Sequence, residues 1–396
     1  MSSSEVNIDY TKKDLPSGFG KAGIALLIVG LIMVVLSYFV DPVRSAFNNL
    51  IILMLLISVG IGGLFLVALE YLGGAVWSVP FRRIPEFLGA VLFIVPLVAL
   101  PVYFNMHGLY HWTHEEAVLH DEVLSGKHGY LNMSFFTIRA AAIFIIWMLF
   151  YISIVGRSQR QDRTGDQRLT KRNIRWSAGF MPVFAITITI ASIDWMKSLE
   201  PHWFSTIYGV YYFAGTVLTA LAITTFLAVY LNEKGILVKG LKADHFYSLG
   251  ALLFAFVNFW AYIAFSQFLL IYYANMPEET FWYLDRWEGS WVFVSIFLIV
   301  VHFIVPYFGL LSQPSKTNPG RLKFMSLWIV FAHFVDLYWL IMPTFSPEGF
   351  VLSWYELGFP VLAVGLIIAV FGFRAKKQNL VPVKDPKLKR GLNFRL

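Results

Sequence analysis

The pattern of apolar and polar positions divides the chain into ten long apolar stretches separated by shorter polar segments. A helix needs about 20 residues to cross a hydrocarbon core, and each stretch is long enough to do so. The predicted spans, numbered 1 to 10, are 22–40, 48–72, 85–105, 132–155, 176–196, 204–231, 246–273, 289–311, 322–344 and 352–373. The pattern therefore predicts an all-α integral membrane protein with ten transmembrane helices.

Two short correspondences indicate an internal repeat. Residues 87–93 read FLGAVLF and residues 248–254 read SLGALLF, at the starts of spans 3 and 7. Asp194 and Asp336 are each followed seven residues later by a proline, at the ends of spans 5 and 9. These matches predict two four-helix bundles, spans 2–5 and spans 6–9, with spans 1 and 10 as peripheral helices outside them.

The basic residues are concentrated on one side of the predicted bundle. Of 31 Lys and Arg residues, 26 fall in segments on the side of the N terminus, whereas the opposite loops hold only Arg44, Lys127, Lys197 and Arg286. Basic loops remain in the cytoplasm, so we expect both termini to be cytoplasmic. The net charge of +7 then reflects topology and some attraction to membrane lipid, and we expect no nucleic-acid partner.

These predictions divide the chain into six regions. They are a cytoplasmic N-terminal segment (1–21), a peripheral helix (22–47), a first four-helix bundle (48–203), a second four-helix bundle (204–350), a second peripheral helix (351–373) and a basic cytoplasmic tail (374–396). The N-terminal segment has no cleavable signal pattern, so span 1 is expected to act as its own insertion signal.

Composition narrows the chemistry. The chain is 58% hydrophobic and 14% charged, unlike a soluble domain, and it contains no cysteine. Disulfides, cysteine-ligated iron–sulfur clusters, c-type haem attachment and thiol catalysis within this chain are therefore excluded.

Five ionisable side chains inside the spans are the candidate functional residues, because charge is costly in a membrane. They are Arg139, Asp194, His302, His333 and Asp336. Arg139 could pair with Asp194 or Asp336 as a structural clamp. His333 and Asp336 share a helical face, and Pro306 removes the amide that would bond the carbonyl of His302. Histidine exchanges protons near neutral pH, so these groups predict a proton pathway, with satisfied structural histidines as the alternative.

Other polar and aromatic positions have simpler interpretations. His107, His111 and His114 could imitate a metal site, but an interfacial or partner-docking segment explains them better, and no metal site is predicted. Two midplane histidines could also clamp a b-type haem.

Glu70 is expected to reach the membrane interface by snorkelling. Most of a set of aromatic residues is assigned to an interfacial belt, and some of them could instead line a slot for a flat hydrophobic ring. The set is Tyr208, Tyr211, Tyr212, Tyr272, Tyr273, Trp282 and Trp287.

Two segments resemble a known family. Residues 192–209, SIDWMKSLEPHWFSTIYG, and residues 333–343, HFVDLYWLIMP, resemble signatures of the large membrane subunits of alternative complex III. These subunits belong to the NrfD/polysulfide-reductase membrane-subunit group. The short chain without a long extension is more similar to the F-type than to the C-type subunit.

The resemblance implies a cofactor-free subunit of a quinol:cytochrome c oxidoreductase complex in a bacterial cytoplasmic membrane. It implies a C-type paralogue, an iron–sulfur subunit and haem c subunits as partners, which carry the iron–sulfur clusters and haem c. Menaquinone and the quinone pool are further expected partners, although no quinone-binding residue is identified. The family's proposed half-channels place acidic and histidine groups where this chain has Asp194, His302, His333 and Asp336, and we expect Arg139 to join them.

Two other classes of function stay open. A stand-alone secondary transporter can also contain parallel repeats, although no pair of broken helices stands at matching positions. A membrane anchor that conducts no protons is the other alternative. Whether the chain belongs to an enzyme is therefore undecided by its residues alone, and no catalytic residue is predicted.

Overall fold

The protein is an all-α, multi-pass membrane protein. The computed structural model describes residues 11–396 and is 80% helical, and within these residues it has no strands and ten helices long and apolar enough to cross a membrane. The prediction of ten spans is confirmed. The first ten residues of the predicted N-terminal segment lie outside the described residues.

The ten spans keep the numbers of the predicted stretches. They are Ser17–Val40, Pro42–Gly73, Val79–Phe104, Met133–Thr164, Arg168–Leu199, Tyr208–Glu233, Ala243–Ala274, Trp291–Leu310, Pro319–Phe345 and Trp354–Lys377. Short helices lie between or after them at Met106–Leu109, His111–Thr113, Glu115–His120, Glu122–Lys127, Pro277–Asp285, Gln313–Thr317 and Leu388–Leu392. Span 1 begins and span 10 ends on the same side, which we call the terminal side; the other is the distal side.

Several helices extend beyond their apolar stretches on the terminal side. Span 4 continues to Thr164 and span 5 begins at Arg168, so only residues 165–167 connect them. Gly165 ends span 4 with a φ of 72°, in the left-handed region that glycine adopts without a steric penalty. The basic segment 156–175 is therefore mostly helix and not a loop, because solvated charged residues can continue a helix past the apolar region.

Spans 2 and 6 form the buried centre of the molecule. In their most apolar stretches, 94% and 89% of residues are buried, against 22–61% in the other spans. A Cβ on Gly62 would lie 2.8 Å from the carbonyl oxygen of Thr216, so the two helices approach closely at this glycine. Span 2 also packs against span 9. The two predicted bundles are thus in direct contact through their central helices.

Spans 1 and 10 pack mainly against each other at the edge of the molecule. A Cβ on Gly30 would lie 2.4 Å from the amide nitrogen of Leu362, and one on Gly365 would lie 2.4 Å from the amide nitrogen of Leu27. Each helix therefore presents a glycine to the backbone of its partner. This close approach lets van der Waals contacts hold the pair together in an environment where apolar burial supplies no driving force.

The C-terminal tail folds back onto the bundle on the terminal side. Asp385 accepts a 2.6 Å hydrogen bond from Arg82, which also donates to Glu70 at 2.9 Å. Leu388 and Leu392 are buried beside Val79. The expectation that Glu70 snorkels to the interface is wrong, because its carboxylate is buried and paired with Arg82. The tail is likewise a packed element and not simply a solvated basic segment.

Candidate functional site

Asp336 lies in a buried polar cluster where spans 2, 6, 7, 8 and 9 meet. Its side chain is about 1% exposed. The Tyr211 hydroxyl donates to Oδ1 at 2.5 Å, and the Trp260 indole N–H donates to Oδ2 at 3.1 Å. Both donors are neutral, and within residues 11–396 no Lys or Arg forms an ion pair with this carboxylate. The carboxylate is therefore held by neutral dipoles and not by a fixed cation.

His333 stands one helical turn before Asp336 on span 9. Its Nδ1 lies 3.8 Å from Oδ2 of Asp336, and its Nε2 is 3.1 Å from the hydroxyl of Ser58 on span 2. A Cβ on Gly215 would lie 2.6 Å from Cε1 of His333. The absence of a side chain at Gly215 is what allows the imidazole to sit against span 6, between a hydroxyl and a carboxylate.

His302 approaches the cluster from a distorted turn in span 8. Residues 300–304 form a single π-helical turn, and Pro306 follows in the next turn. Proline cannot donate the helical hydrogen bond expected at its position, and π turns in α-helices often mark functional sites. The imidazole stacks on Trp260 with ring centroids 3.6 Å apart. The π turn lies directly before Pro306, the residue expected to leave the His302 carbonyl without its helical amide partner.

The three side chains come together with several nitrogen atoms left unpartnered. His302, His333 and Asp336 each offer a ligand atom, and these atoms lie within 4.8 Å of one another. Among the described residues, both ring nitrogens of His302 and Nδ1 of His333 are buried without a hydrogen-bond partner. Buried polar atoms in native proteins are almost always satisfied. Such a cluster can accept, pass on or release a cation.

Arg139 and Asp194 form a separate ion pair near the distal side. Arg139 Nε donates to Asp194 Oδ2 at 2.7 Å, and the Tyr130 hydroxyl donates to Oδ1 at 2.9 Å. The guanidinium lies 3.8 Å above the ring of Tyr130 and donates to its backbone carbonyl. Burial, reinforced by the adjacent Asp194 carboxylate, raises the pKa of Tyr130 to about 12. Of the two partners proposed for Arg139, the structure selects Asp194.

The predicted site residues thus fall into two groups. His302, His333 and Asp336 are brought together, whereas Arg139 and Asp194 pair with each other. In the part of the chain that the structure describes, no hydrogen bond or ion pair joins the two groups directly.

A cavity of about 600 Å³ borders the Asp336 cluster. All four spans of the second bundle line it, and its wall includes both donors to Asp336, Tyr211 and Trp260. The remaining wall is mainly aromatic and aliphatic, including Tyr283, Phe303 and Trp339. A second cavity of about 350 Å³, lined by apolar residues of all four spans of the first bundle, reaches Trp195 next to Asp194.

Sequence reasoning missed Ser58, Tyr211 and Trp260 as members of the cluster. Tyr211 was assigned to an interfacial belt together with Tyr208 and Tyr212, but all three are buried and at most 3% exposed. Tyr272 and Tyr273, by contrast, are 69% and 88% exposed. Aromatic composition alone cannot distinguish a buried tyrosine from one at the membrane interface. The hydroxyls of Tyr208, Tyr211 and Tyr212 recur on neighbouring turns of one predicted helix, and this pattern could have indicated a buried polar face.

The histidines of the distal segment, His107, His111 and His114, do not form a comparable cluster of metal-type ligands. The ring of His114 lies 5.5 Å from that of His107 and 6.1 Å from that of His111, between centroids. Within residues 11–396, only His302, His333 and Asp336 make up a set of three metal-type ligands close enough to share an ion.

The chain matches no protein-family model, and no curated protein is significantly similar to it. The resemblance of its two segments to membrane subunits of alternative complex III therefore stays a prediction.

Proposed function

We propose that this chain is a membrane subunit of a quinol-oxidising respiratory complex and carries protons through its second bundle. The observation that carries the proposal is the buried Asp336 carboxylate, which is held by neutral donors beside two histidines with unpartnered nitrogens. The resemblance of the two segments supports the choice of complex. The proposed setting is a bacterial cytoplasmic membrane with both termini in the cytoplasm, in line with the asymmetry of basic residues.

The arrangement supplies what a proton relay needs at its centre. The Asp336 carboxylate can accept or release a proton without breaking an ion pair, because its hydrogen-bond donors are neutral. His333 lies between this carboxylate, 3.8 Å from its Nδ1, and Ser58, 3.1 Å from its Nε2. Ser58 is also within hydrogen-bonding distance of Tyr212 and Thr216. Hydroxyls and imidazoles both donate and accept protons. The relay proposed is therefore Asp336, His333 and Ser58, with His302 as a second proton acceptor.

Arg139 and Asp194 are assigned a different role. Asp194 is engaged in an ion pair with Arg139 at 2.7 Å, so a relay through Asp194 would have to break this pair. We propose that this pair holds spans 4 and 5 together on the distal side and lies outside the proton pathway. The sequence-based prediction of a pathway through all five residues would instead include it.

The cavity beside Asp336 favours a quinone site as a second function. Its volume lies within the range of small-molecule pockets, and it combines an apolar wall with a few polar groups. A quinol bound there would lie next to Tyr211 and Trp260, the two donors to the Asp336 carboxylate. Iron–sulfur clusters and haem c would belong to partner subunits, as the missing cysteines require.

The first experiment isolates the complex through a tag on this chain. We expect subunits with haem c and iron–sulfur absorption to co-purify, with this chain adding no redox centre of its own. A monomer that takes up a solute in vesicles would instead support the transporter alternative and contradict the proposal.

The second experiment tests the relay in the intact complex. We expect Asp336→Asn to lower the number of protons moved per electron during quinol oxidation in proteoliposomes, because an amide cannot bind and release the proton. Glu116→Gln, an exposed acidic position on the distal side, is the matched control and keeps the wild-type ratio. Unchanged proton movement and turnover in Asp336→Asn would reduce this chain to a membrane anchor.

A further inference from the structure

We infer that His302, His333 and Asp336 form a binding site for one divalent transition-metal ion of the Zn²⁺ class. The binding itself does not depend on the proposed function. Its consequence does: an ion held by these three groups would occupy the proton-accepting atoms of the relay and stop proton movement.

The donor set and its spacing carry the inference. Two imidazoles and one carboxylate are the ligands that three-ligand zinc sites use, with the fourth position open. Their ligand atoms lie within 4.8 Å of one another. Zinc–ligand distances of 2.0–2.2 Å place neighbouring donors about 3.4 Å apart. Side-chain displacements of about 1 Å would close the site, and no hydrogen bond of the His302 ring nitrogens would have to be broken for His302 to bind.

The surroundings already contain the outer hydrogen bonds that metal ligands require. Ligating histidines normally use their second nitrogen in a hydrogen bond, which fixes the tautomer. In His333 the Nε2 atom faces Ser58 at 3.1 Å, which leaves Nδ1 directed toward Asp336. The carboxylate is oriented by Tyr211 and Trp260. The structure therefore holds two of the three ligands in place before any ion binds.

Charge also favours a cation at this position. The Asp336 carboxylate is buried and, among the described residues, has no Lys or Arg partner. A divalent ion compensates that charge as a proton does, so the two compete. Imidazole nitrogen selects Zn²⁺, Cu²⁺, Ni²⁺ or Co²⁺ over Mg²⁺ and Ca²⁺, which prefer oxygen.

The exposed histidines at residues 107–128 provide a built-in comparison. They can bind metal ions loosely at the surface, but they do not bring three ligand atoms within reach of one ion. A variant of one of these residues, His114→Gln, therefore separates adventitious surface binding from binding at the buried cluster.

The test measures Co²⁺ binding to the full chain, purified in detergent or in its complex, because Co²⁺ reports its coordination by visible absorption. Cells are also grown with added Co²⁺, since the buried ligands will exchange slowly. We expect one equivalent with the intense absorption of a four-coordinate ion, displaced by Zn²⁺. His302→Gln, His333→Gln and Asp336→Asn each abolish that absorption, and His114→Gln keeps it.

A variant outside the ligand set distinguishes loss of a ligand from loss of the fold. Tyr211→Phe removes one donor to Asp336 but no ligand, and we expect a 10–100-fold weaker affinity, the usual effect of losing an outer hydrogen bond. Equal Co²⁺ absorption in wild type and the three ligand variants, or its loss in His114→Gln alone, would overturn the metal site.

The two proposals fail in different ways. If Co²⁺ binds at the cluster but Zn²⁺ leaves proton movement unchanged, the metal site stands and the relay is wrong. If no ion binds, the metal inference is overturned, and the Asp336→Asn measurement still decides the relay.

Discussion

Asp194 and Asp336 stand at corresponding positions of the predicted repeat, and their surroundings differ in one decisive respect. Asp194 is paired with the guanidinium of Arg139 at 2.7 Å. Asp336 receives only the neutral donors Tyr211 and Trp260. The first carboxylate is fixed in an ion pair that joins two helices. The second has no cationic partner among the described residues, and it is the one to which we assign a role in the proposed relay.

The arginine near the second carboxylate is engaged elsewhere. Arg286 is buried, and its guanidinium donates to the carbonyls of Trp282, Trp339 and Leu340. Pro343 lacks the amide that would bond the Trp339 carbonyl in a regular helix, so Arg286 satisfies that freed acceptor. Arg286 therefore serves a proline-interrupted helix and pairs with Glu200 at 3.4 Å, and it forms no ion pair with Asp336.

The largest predicted effect concerns the stability of the two carboxylate sites. Asp194→Asn leaves the Arg139 charge buried and unpaired, and we expect a loss of about 3–5 kcal/mol. Asp336→Asn leaves one acceptor oxygen for the two neutral donors Tyr211 and Trp260, and we expect a smaller loss of about 1–3 kcal/mol. Unfolding in detergent measures both.

The double variant Asp194→Asn, Arg139→Met removes the unpaired charge and should regain most of the lost stability. Equal losses for the two single variants would contradict the distinction between a clamped and an unclamped carboxylate.

An intermediate effect is expected at Gly215. In Gly215→Ala the new methyl group would lie 2.6 Å from Cε1 of His333, so the ring must move away from Ser58. Overpacking of this kind costs about 1–3 kcal/mol, and proton movement per electron should fall as well. The control is Gly179→Ala in span 5, where a Cβ meets nothing within 4 Å and a gain of about 0.5–1 kcal/mol is expected. Similar stability and proton movement in both variants would argue against a precise position for His333.

The smallest effect is expected at an exposed carboxylate, Asp121. The backbone amide of Leu124 and the neighbouring His202 hold the pKa of Asp121 below its usual range. A lowered folded-state pKa contributes stability above the ordinary pKa of about 4, and this contribution is lost as the pH falls through the lower value. The thermal midpoints of wild type and Asp121→Asn should differ slightly at neutral pH and converge in acid. A gap that widens in acid would contradict this sign.

Much of the architecture could be predicted from the sequence because lipid imposes a simple rule. Long apolar stretches must form helices to satisfy their backbone groups, so all ten spans were identified. Their ends were less certain. Span 4 runs nine residues past its apolar stretch to Thr164, because charged residues continue a helix outside the hydrocarbon as readily as they form a loop.

The candidate site could be predicted only in part. The cost of charge in a membrane marked His302, His333 and Asp336, and helical spacing placed two of them on one face. Tyr211 and Trp260 could not be identified in this way, since aromatic residues are common both at membrane interfaces and inside a bundle. Ser58 was missed because one hydroxyl among apolar residues signals nothing until its neighbours across the bundle are known.

The sequence by itself determined that the chain is a bundle of ten apolar helices with few internal charges, because hydropathy and the cost of buried charge act locally along the chain. Only the tertiary structure decided which charges meet. Arg139 could reach either of two carboxylates, and packing of spans 4 and 5 assigned it to Asp194. The close contact of spans 2, 6 and 9 placed His333 between Ser58 and Asp336, since pairing depends on distances between helices that spacing along one helix does not encode.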